Sequence, residues 1–157
     1  MKYRSFGNTG WQVSQIGIGT WQLGGTWGTV DDAASIRTLH HGWDAGINFI
    51  DTATAYGKGR SEEVIGRALN SRKGTNKLYV ATKVTPPVWN EPIYSNEDFR
   101  GRFPKGYIRE WTEASLKRLQ VERIDLMQLH TWLPTGTTQL DWLEDLCALQ
   151  LEGKIDR

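Results

Sequence analysis

Cysteine is almost missing from this chain. Cys147 is the single one among 157 residues, so no internal disulfide can form. Stability must then come from an apolar core, and a chain of this length is long enough to bury one. Cys147 falls in a helical pattern with Leu143, Leu146 and Leu149, where it is expected to pack as a small buried hydrophobe. Its isolation fits a reducing, cytoplasmic compartment. Long hydrophobic runs are missing as well. Nothing approaches the roughly 18 apolar residues of a membrane span, and the opening residues 1–7 hold no apolar stretch of signal-peptide length. Excess charge of one sign is also lacking. Nineteen Lys and Arg face 18 Asp and Glu, a net charge of +1, which gives no basis for a nucleic-acid or anionic-membrane surface. Histidine is scarce, and His40 and His41 are adjacent on a helical pattern, hence on different faces. With no ligand cluster beside them, no metal site is expected.

A phosphate-cradling glycine motif is the next absence. Gly17-Ile18-Gly19 is followed by Thr20-Trp21 and a further loop of about ten residues, instead of the G-x-G-x-x-G spacing that opens directly into a helix. That counts against a dinucleotide-binding doubly wound sheet.

What is present is a repeated grammar of strand and helix. Tyr3–Phe6 and Trp11–Val13 flank the turn residues Gly7-Asn8-Thr9-Gly10 and read as a hairpin. Residues 16–21 form a short apolar strand, followed by a glycine-rich loop over Leu23–Gly28. A helix opens at Asp31 and Asp32, with Ile36, Leu39 and Trp43 facing inward and Gly46 at its end. Asn48–Asp51 is a second strand, and Ser61-Glu62-Glu63 starts a helix carrying Val64, Ile65, Ala68 and Leu69. Leu78–Val84 is a third strand, and Lys105–Gln120 is its helix. Ile124–His130 is a fourth strand, followed by a helix over Thr138–Glu152 that Gly153 caps. Residues 91–103 read as a polar loop. Four such units imply right-handed crossovers and a parallel sheet covered on both faces.

In a closed parallel barrel, functional side chains gather at the C-terminal ends of the strands. Three successive strands here end on or near an ionisable residue: Asp51, Lys83 and His130. Asp51 and Lys83 lie on neighbouring strands, where each can satisfy the other's charge. Tyr56 follows Asp51 in the loop Thr52–Gly57. A phenol is a weak acid with a reference pKa of about 10, and a nearby ammonium stabilises the phenolate and so eases proton donation. Asp51 would keep Lys83 charged and aimed, and His130 could hydrogen-bond the same substrate oxygen. The set suits a carbonyl that gains hydride on carbon and a proton on oxygen. A Schiff-base lyase acting through Lys83 stays open on the residues alone, although the neighbouring Asp51 favours a charged lysine. Gly57–Ser61 precedes a helix and reads as a solvated loop sooner than an anion site.

Several stretches together resemble the aldo-keto reductase family: Gly19–Gln22, Gly46–Ala53, Tyr56-Gly57, Gly59–Glu63, Ala81-Thr82-Lys83, and Ser115–Leu119 through Asp125-Leu126 to His130. The resemblance covers essentially the whole chain. It implies an α/β fold of (β/α)8 TIM-barrel type, closed at its base by the N-terminal hairpin, and reduction of aldehydes or ketones with NADPH or NADH and no metal. It implies a catalytic set of Asp51, Tyr56, Lys83 and His130, with Tyr56 as proton donor. Thr20, Trp21 and Asp51 would lie near the nicotinamide, and Trp21, Tyr56, His130 and Trp132 near the substrate, with Leu133 beside them. Only the hairpin and four of eight units are present, so residues 1–157 are read as one domain truncated before its fifth strand. Most cofactor contacts in that family come from later strands. A half barrel has two unpaired sheet edges, which predicts self-association, and a non-catalytic binding or regulatory protein is the alternative.

Overall fold

The computed structural model describes residues 1–25, 28–88 and 97–157. Strands β1 (Tyr3–Ser5) and β2 (Gln12–Ser14) form an antiparallel hairpin. Four further strands make one parallel sheet in the order β3-β4-β5-β6: Ile18–Gly19, Phe49–Asp51, Tyr79–Val84 and Leu126–Leu129. The helices are α1 (Asp32–Asp44), α2 (Arg60–Asn70), a short α3 (Phe99–Arg102), α4 (Tyr107–Leu119) and α5 (Asp141–Leu151).

Local chemistry sets the boundaries. The Asp31 carboxylate accepts from the Ala33 and Ala34 N–H groups and starts α1. Glu62 and Glu63 sit in the first turn of α2, at the positive end of its dipole. Lys117 and Arg118 occupy the last turn of α4 before Gln120 turns left-handed at φ 56°.

Helices α1, α2, α4 and α5 pack side by side in chain order. They share a core with Ile50, Val80, Val84 and Met127 of the sheet. Thr82, on the same face of β5 as Val80 and Val84, hydrogen-bonds Glu62 of α2, so this face is the helix-covered one. The register sets Lys83 beside Gln128, and both belong to the opposite face with Asp51. A sheet with its helices ordered along one face is part of a barrel wall, and the doubly wound alternative falls away. The hairpin closes one end of this wall. Phe6 packs on Phe49 at 5.3 Å and Trp11 stacks on Tyr79 at 4.7 Å, at the N-terminal ends of β4 and β5. Residues 154–157 run along β6: Ile155 bridges Ile124 in parallel, and the Met127 N–H donates to Arg157 O at 2.8 Å.

Some expectations need correction. Cys147 is exposed, because α5 turns Leu149 into the core and leaves Leu143, Cys147 and Leu151 on its outer side. The end of the expected polar loop is helical, with Phe99, Arg102 and Phe103 buried, whereas residues 91–96 lie outside the described ones. The first strand is only Ile18–Gly19, since Trp21–Gly24 coils into a 3-10 turn. The fourth helix starts at Asp141, after a second 3-10 turn at Pro134–Thr137. Residues 26 and 27 of the expected glycine-rich loop are likewise outside the described ones.

Candidate active site

The C-terminal ends of β4, β5 and β6 bring the strand-end residues together. Lys83 Nζ donates to Asp51 Oδ1 at 2.7 Å, to Asp51 Oδ2 at 2.8 Å and to Thr52 O at 2.7 Å. These three acceptors use all the donors of an ammonium and fix its direction. The same Nζ lies 5.3 Å from the centroid of the Tyr56 ring. Tyr56 meets His130 edge-on at 5.9 Å and Trp21 nearly parallel at 6.2 Å. Trp21, Ala55, Tyr56 and His130 line a cleft of about 210 Å³. All four residues of the expected catalytic set are therefore in one place, with Trp21 on its rim.

The loop that carries Tyr56 is held by backbone contact. A Cβ added at Gly57 would stand 2.2 Å from Gly24 O, and one at Gly24 would stand 2.6 Å from Gly57 N. Gly57 also has φ +62°. Glycine is thus required at both positions for the loop after β4 to lie against the turn that carries Trp21. Beneath the cleft, a hydroxyl chain fixes Asp51. Thr52 donates to Ser61 at 2.9 Å, Ser61 to Thr20 at 2.9 Å, and Thr20 to Asp51 O at 2.8 Å. Thr20 is fully buried, so the structure places its side chain under the site and not on its surface.

Behind Lys83, its neighbour Thr82 donates to Glu62 Oε1 at 2.6 Å, and Arg118 Nε donates to Glu62 Oε2 at 2.6 Å. Glu62 is fully buried, so this pair ties α2 and α4 to β5 at the layer of the site. His130 is anchored by its backbone N–H, which donates to Val84 O at 3.0 Å. Burial, and then the Lys83 ammonium, hold its imidazole down at about 4, with Asp51 pulling the other way. It is neutral at physiological pH.

Two segments join just beyond His130, around Trp132. Phe99 lies 5.0 Å from Trp132, and Trp132 meets Trp142 at 5.3 Å. The Phe99 N–H donates to Gln139 Oε1 at 2.6 Å, and the Thr135 hydroxyl to Glu97 O at 2.7 Å. Trp132 is 48% exposed, and Leu133 is fully buried below it.

The weaker sequence signals have structural partners. Arg60 of the Gly57–Ser61 segment binds Asp32 and Val30 O. A ring nitrogen of His40 sits 2.9 Å from Ala68 O. Sequence reasoning missed Gly24, Thr52, Thr54, Ser61 and Thr85, all of which hold the site from below or behind. Small residues in loops, turns and the first turn of a helix carry no periodic or charge signal by which to single them out.

The model of the aldo/keto reductase family matches residues 15–157. The chain belongs to this family. It is 41% identical over 131 residues to the aldo-keto reductase YhdN of Bacillus subtilis, and 31% identical over 164 residues to an L-galactose dehydrogenase of Arabidopsis thaliana. A probable voltage-gated potassium channel subunit beta of Arabidopsis thaliana is 31% identical over 142 residues. These alignments take in 83%, 98% and 90% of this chain, but 38%, 46% and 40% of the relatives, so the chain spans less than half their length. Among solved structures, the glycerol dehydrogenase of Gluconobacter oxydans superposes with a TM-score of 0.76 at 39% identity, covering 98% of this chain and 46% of that one. An aldo-keto reductase of Klebsiella pneumoniae in complex with NADPH superposes with a TM-score of 0.70 at 30% identity, covering 93% and 44%. The structural relatives are (β/α)8 barrels, and the four-stranded wall described above is a part of that aldo-keto reductase barrel.

Proposed function

We propose that this part of the barrel delivers the proton in NAD(P)H-dependent reduction of an aldehyde or ketone to an alcohol. One observation carries the reading: the Lys83 ammonium, clamped by Asp51, stands 5.3 Å from the centre of the Tyr56 ring beside a cleft that His130 also lines. The nicotinamide end of NADPH or NADH fits the residues present. Trp21 is 51% exposed and offers a flat apolar face beside Tyr56, and the Asp51 carboxylate keeps an open side for hydroxyl donors. When bound, the cofactor supplies a hydride to the carbonyl carbon. The carbonyl π pair moves onto oxygen, and the Tyr56 hydroxyl gives its proton to that oxygen, leaving a phenolate. Lys83 stabilises this anion, Asp51 keeps Lys83 charged and aimed, and neutral His130 hydrogen-bonds and orients the oxygen. Trp132 shapes the substrate side of the cleft. A cytoplasmic setting belongs to this reading, in keeping with an unpaired Cys147.

The test is Tyr56→Phe. Turnover of a carbonyl substrate, followed as loss of NADPH absorbance, is expected to fall by roughly 10²–10⁴-fold, the worth of a general acid. Cofactor binding, titrated by tryptophan fluorescence, stays within about twofold. Unchanged turnover in the variant would remove Tyr56 from the role of acid.

A lyase acting through Lys83 is disfavoured, because an amine held as ammonium by a bidentate carboxylate is a poor nucleophile. A second reading, a reductase-like binding or regulatory protein that associates with itself, has one observation in its favour. Strand β3 stands at an edge of the parallel sheet, with β4 as its one neighbour among the described residues. Mass measurement alongside the cofactor titration separates the two. A self-associated chain that binds no nicotinamide nucleotide supports the second reading, and a chain that binds it supports the first.

A further inference from the structure

The Asp51–Lys83 pair accounts for the charge near Tyr56, but not for which nitrogen of His130 carries the proton. A neutral imidazole has one N–H and one lone pair, and only the N–H can donate to a carbonyl oxygen. Two threonines behind His130 reach one of its ring nitrogens. Thr54 lies in the loop after β4, its own N–H donating to Lys83 O at 3.2 Å. Thr85 follows β5, and its carbonyl accepts from the Tyr107 hydroxyl at 3.0 Å. Thr54 Oγ1 accepts from the Thr85 N–H at 3.1 Å and lies 2.8 Å from Thr85 Oγ1, which in turn lies 3.1 Å from His130 Nδ1.

Each hydroxyl has one proton to give. Thr54 is buried, and Thr85 Oγ1 is the acceptor that its hydroxyl reaches among the described residues, so Thr54 donates to Thr85. Thr85 then accepts from Thr54 and has its own proton left, with Nδ1 as the acceptor in reach. The reverse arrangement, Nδ1–H donating to Thr85, sets three protons against two contacts and leaves one hydroxyl proton without an acceptor among the described residues. Burial and the Lys83 ammonium keep the imidazole neutral, so the relay has a tautomer to choose.

We propose that Thr54 and Thr85 are positioning residues that hold His130 in the tautomer with its proton on Nε2. The lone pair faces the threonines, and the N–H is on the ring nitrogen remote from them, on a residue that lines the cleft with Tyr56. The role of that N–H in orienting a carbonyl rests on the reductase reading. The tautomer itself does not.

The experiment uses the whole 157-residue chain with ¹⁵N-labelled histidine. The chain has three histidines, so loss of one set of signals in His130→Gln assigns the ring. Long-range ¹H–¹⁵N correlation near neutral pH is expected to show Nδ1 as pyridine-type and Nε2 as pyrrole-type. A pyrrole-type Nδ1, or two averaged nitrogens, overturns the proposal on the parent chain alone, whether or not any variant folds. Thr85→Val is expected to average the two nitrogens, and Thr85→Ser to restore the parent pattern. A Thr85→Val spectrum identical to the parent also overturns it. Where carbonyl reduction is measured, Thr85→Val lowers kcat by roughly tenfold with KM nearly constant, part of the full worth of acid–base assistance. A pyridine-type Nδ1 in a chain without turnover supports the relay while counting against the reductase reading, so the two failures are told apart.

Discussion

Removing Asp51 and removing Lys83 break the same ion pair, yet the two deletions are expected to differ in cost. The Lys83 side chain is 14% exposed and that of Asp51 is 41% exposed. In Asp51→Ala, a largely buried ammonium keeps only Thr52 O, at 2.7 Å. Breaking a fully buried pair from one side costs about 3–5 kcal/mol; with some water access left to Lys83, about 2–3 kcal/mol is expected. Lys83→Met fills the same space with an apolar chain and leaves a carboxylate that water already reaches. Its cost is about 0–1 kcal/mol. For a chain of this size, 1 kcal/mol moves Tm by roughly 2–4 °C, so Asp51→Ala should lower Tm by about 4–12 °C and Lys83→Met by less than about 4 °C. Thermal and urea unfolding followed by far-UV circular dichroism measure both, and an unchanged urea m-value certifies the comparison. Both variants are also expected to lose proton delivery, so stability and activity separate in Lys83→Met. Equal losses of stability, or a greater loss in Lys83→Met, would refute the inference from burial to cost.

His130 makes stability depend on pH in a definite direction. Its folded value of about 4 lies below the unfolded value near 6.5, so its contribution is complete above about 6.5 and is lost as pH falls toward 4. His130→Gln should flatten the plot of unfolding free energy against pH in that window; an unchanged slope would show that the histidine is not held neutral. Gly57→Ala brings a Cβ to 2.2 Å from Gly24 O at a positive φ, and a loss of about 2–4 kcal/mol by urea unfolding is expected. Glu62→Gln leaves the Arg118 guanidinium without its buried counter-charge. A fall of about 3 kcal/mol is expected, and Glu62→Leu with Arg118→Leu should recover much of it in a double-mutant cycle.

The parts of the site legible in the sequence are those that break a pattern. Asp51, Lys83 and His130 interrupt apolar strands, and an ionisable group there needs a partner, so their convergence follows from the parallel order of the strands. The supporting residues break no pattern. Thr54 and Thr85 are ordinary polar residues beside turns, and their partnership arises only when two loops 31 positions apart meet. Glu62 looks like an exposed acid in the first turn of a helix. It is buried because Thr82 and Arg118, 20 and 56 positions away, come to its two oxygens. Cys147 shows the opposite failure. Leucines on three sides suggest a core position, but helical spacing cannot say which side of α5 the rest of the protein covers. Phe99 is hidden among polar neighbours, and Trp132 and Trp142, whose rings pack on it, lie more than 30 positions further on.

The joint between Phe99 and the segment after β6 bears on how such a protein can change. Trp132, Thr135, Gln139 and Trp142 engage residues 97–99 through ring packing and hydrogen bonds, and Gly136 leaves no room for a side chain against Phe99. Neither segment can drift in sequence or length without the other. A transplant of the Trp132 loop alone into a related barrel would leave unfilled space where Phe99 belongs, whereas the two segments moved together form a graftable cassette. Inheritance of this joint is in that sense linked, with its unit set by packing across two loops and not by continuity of the chain.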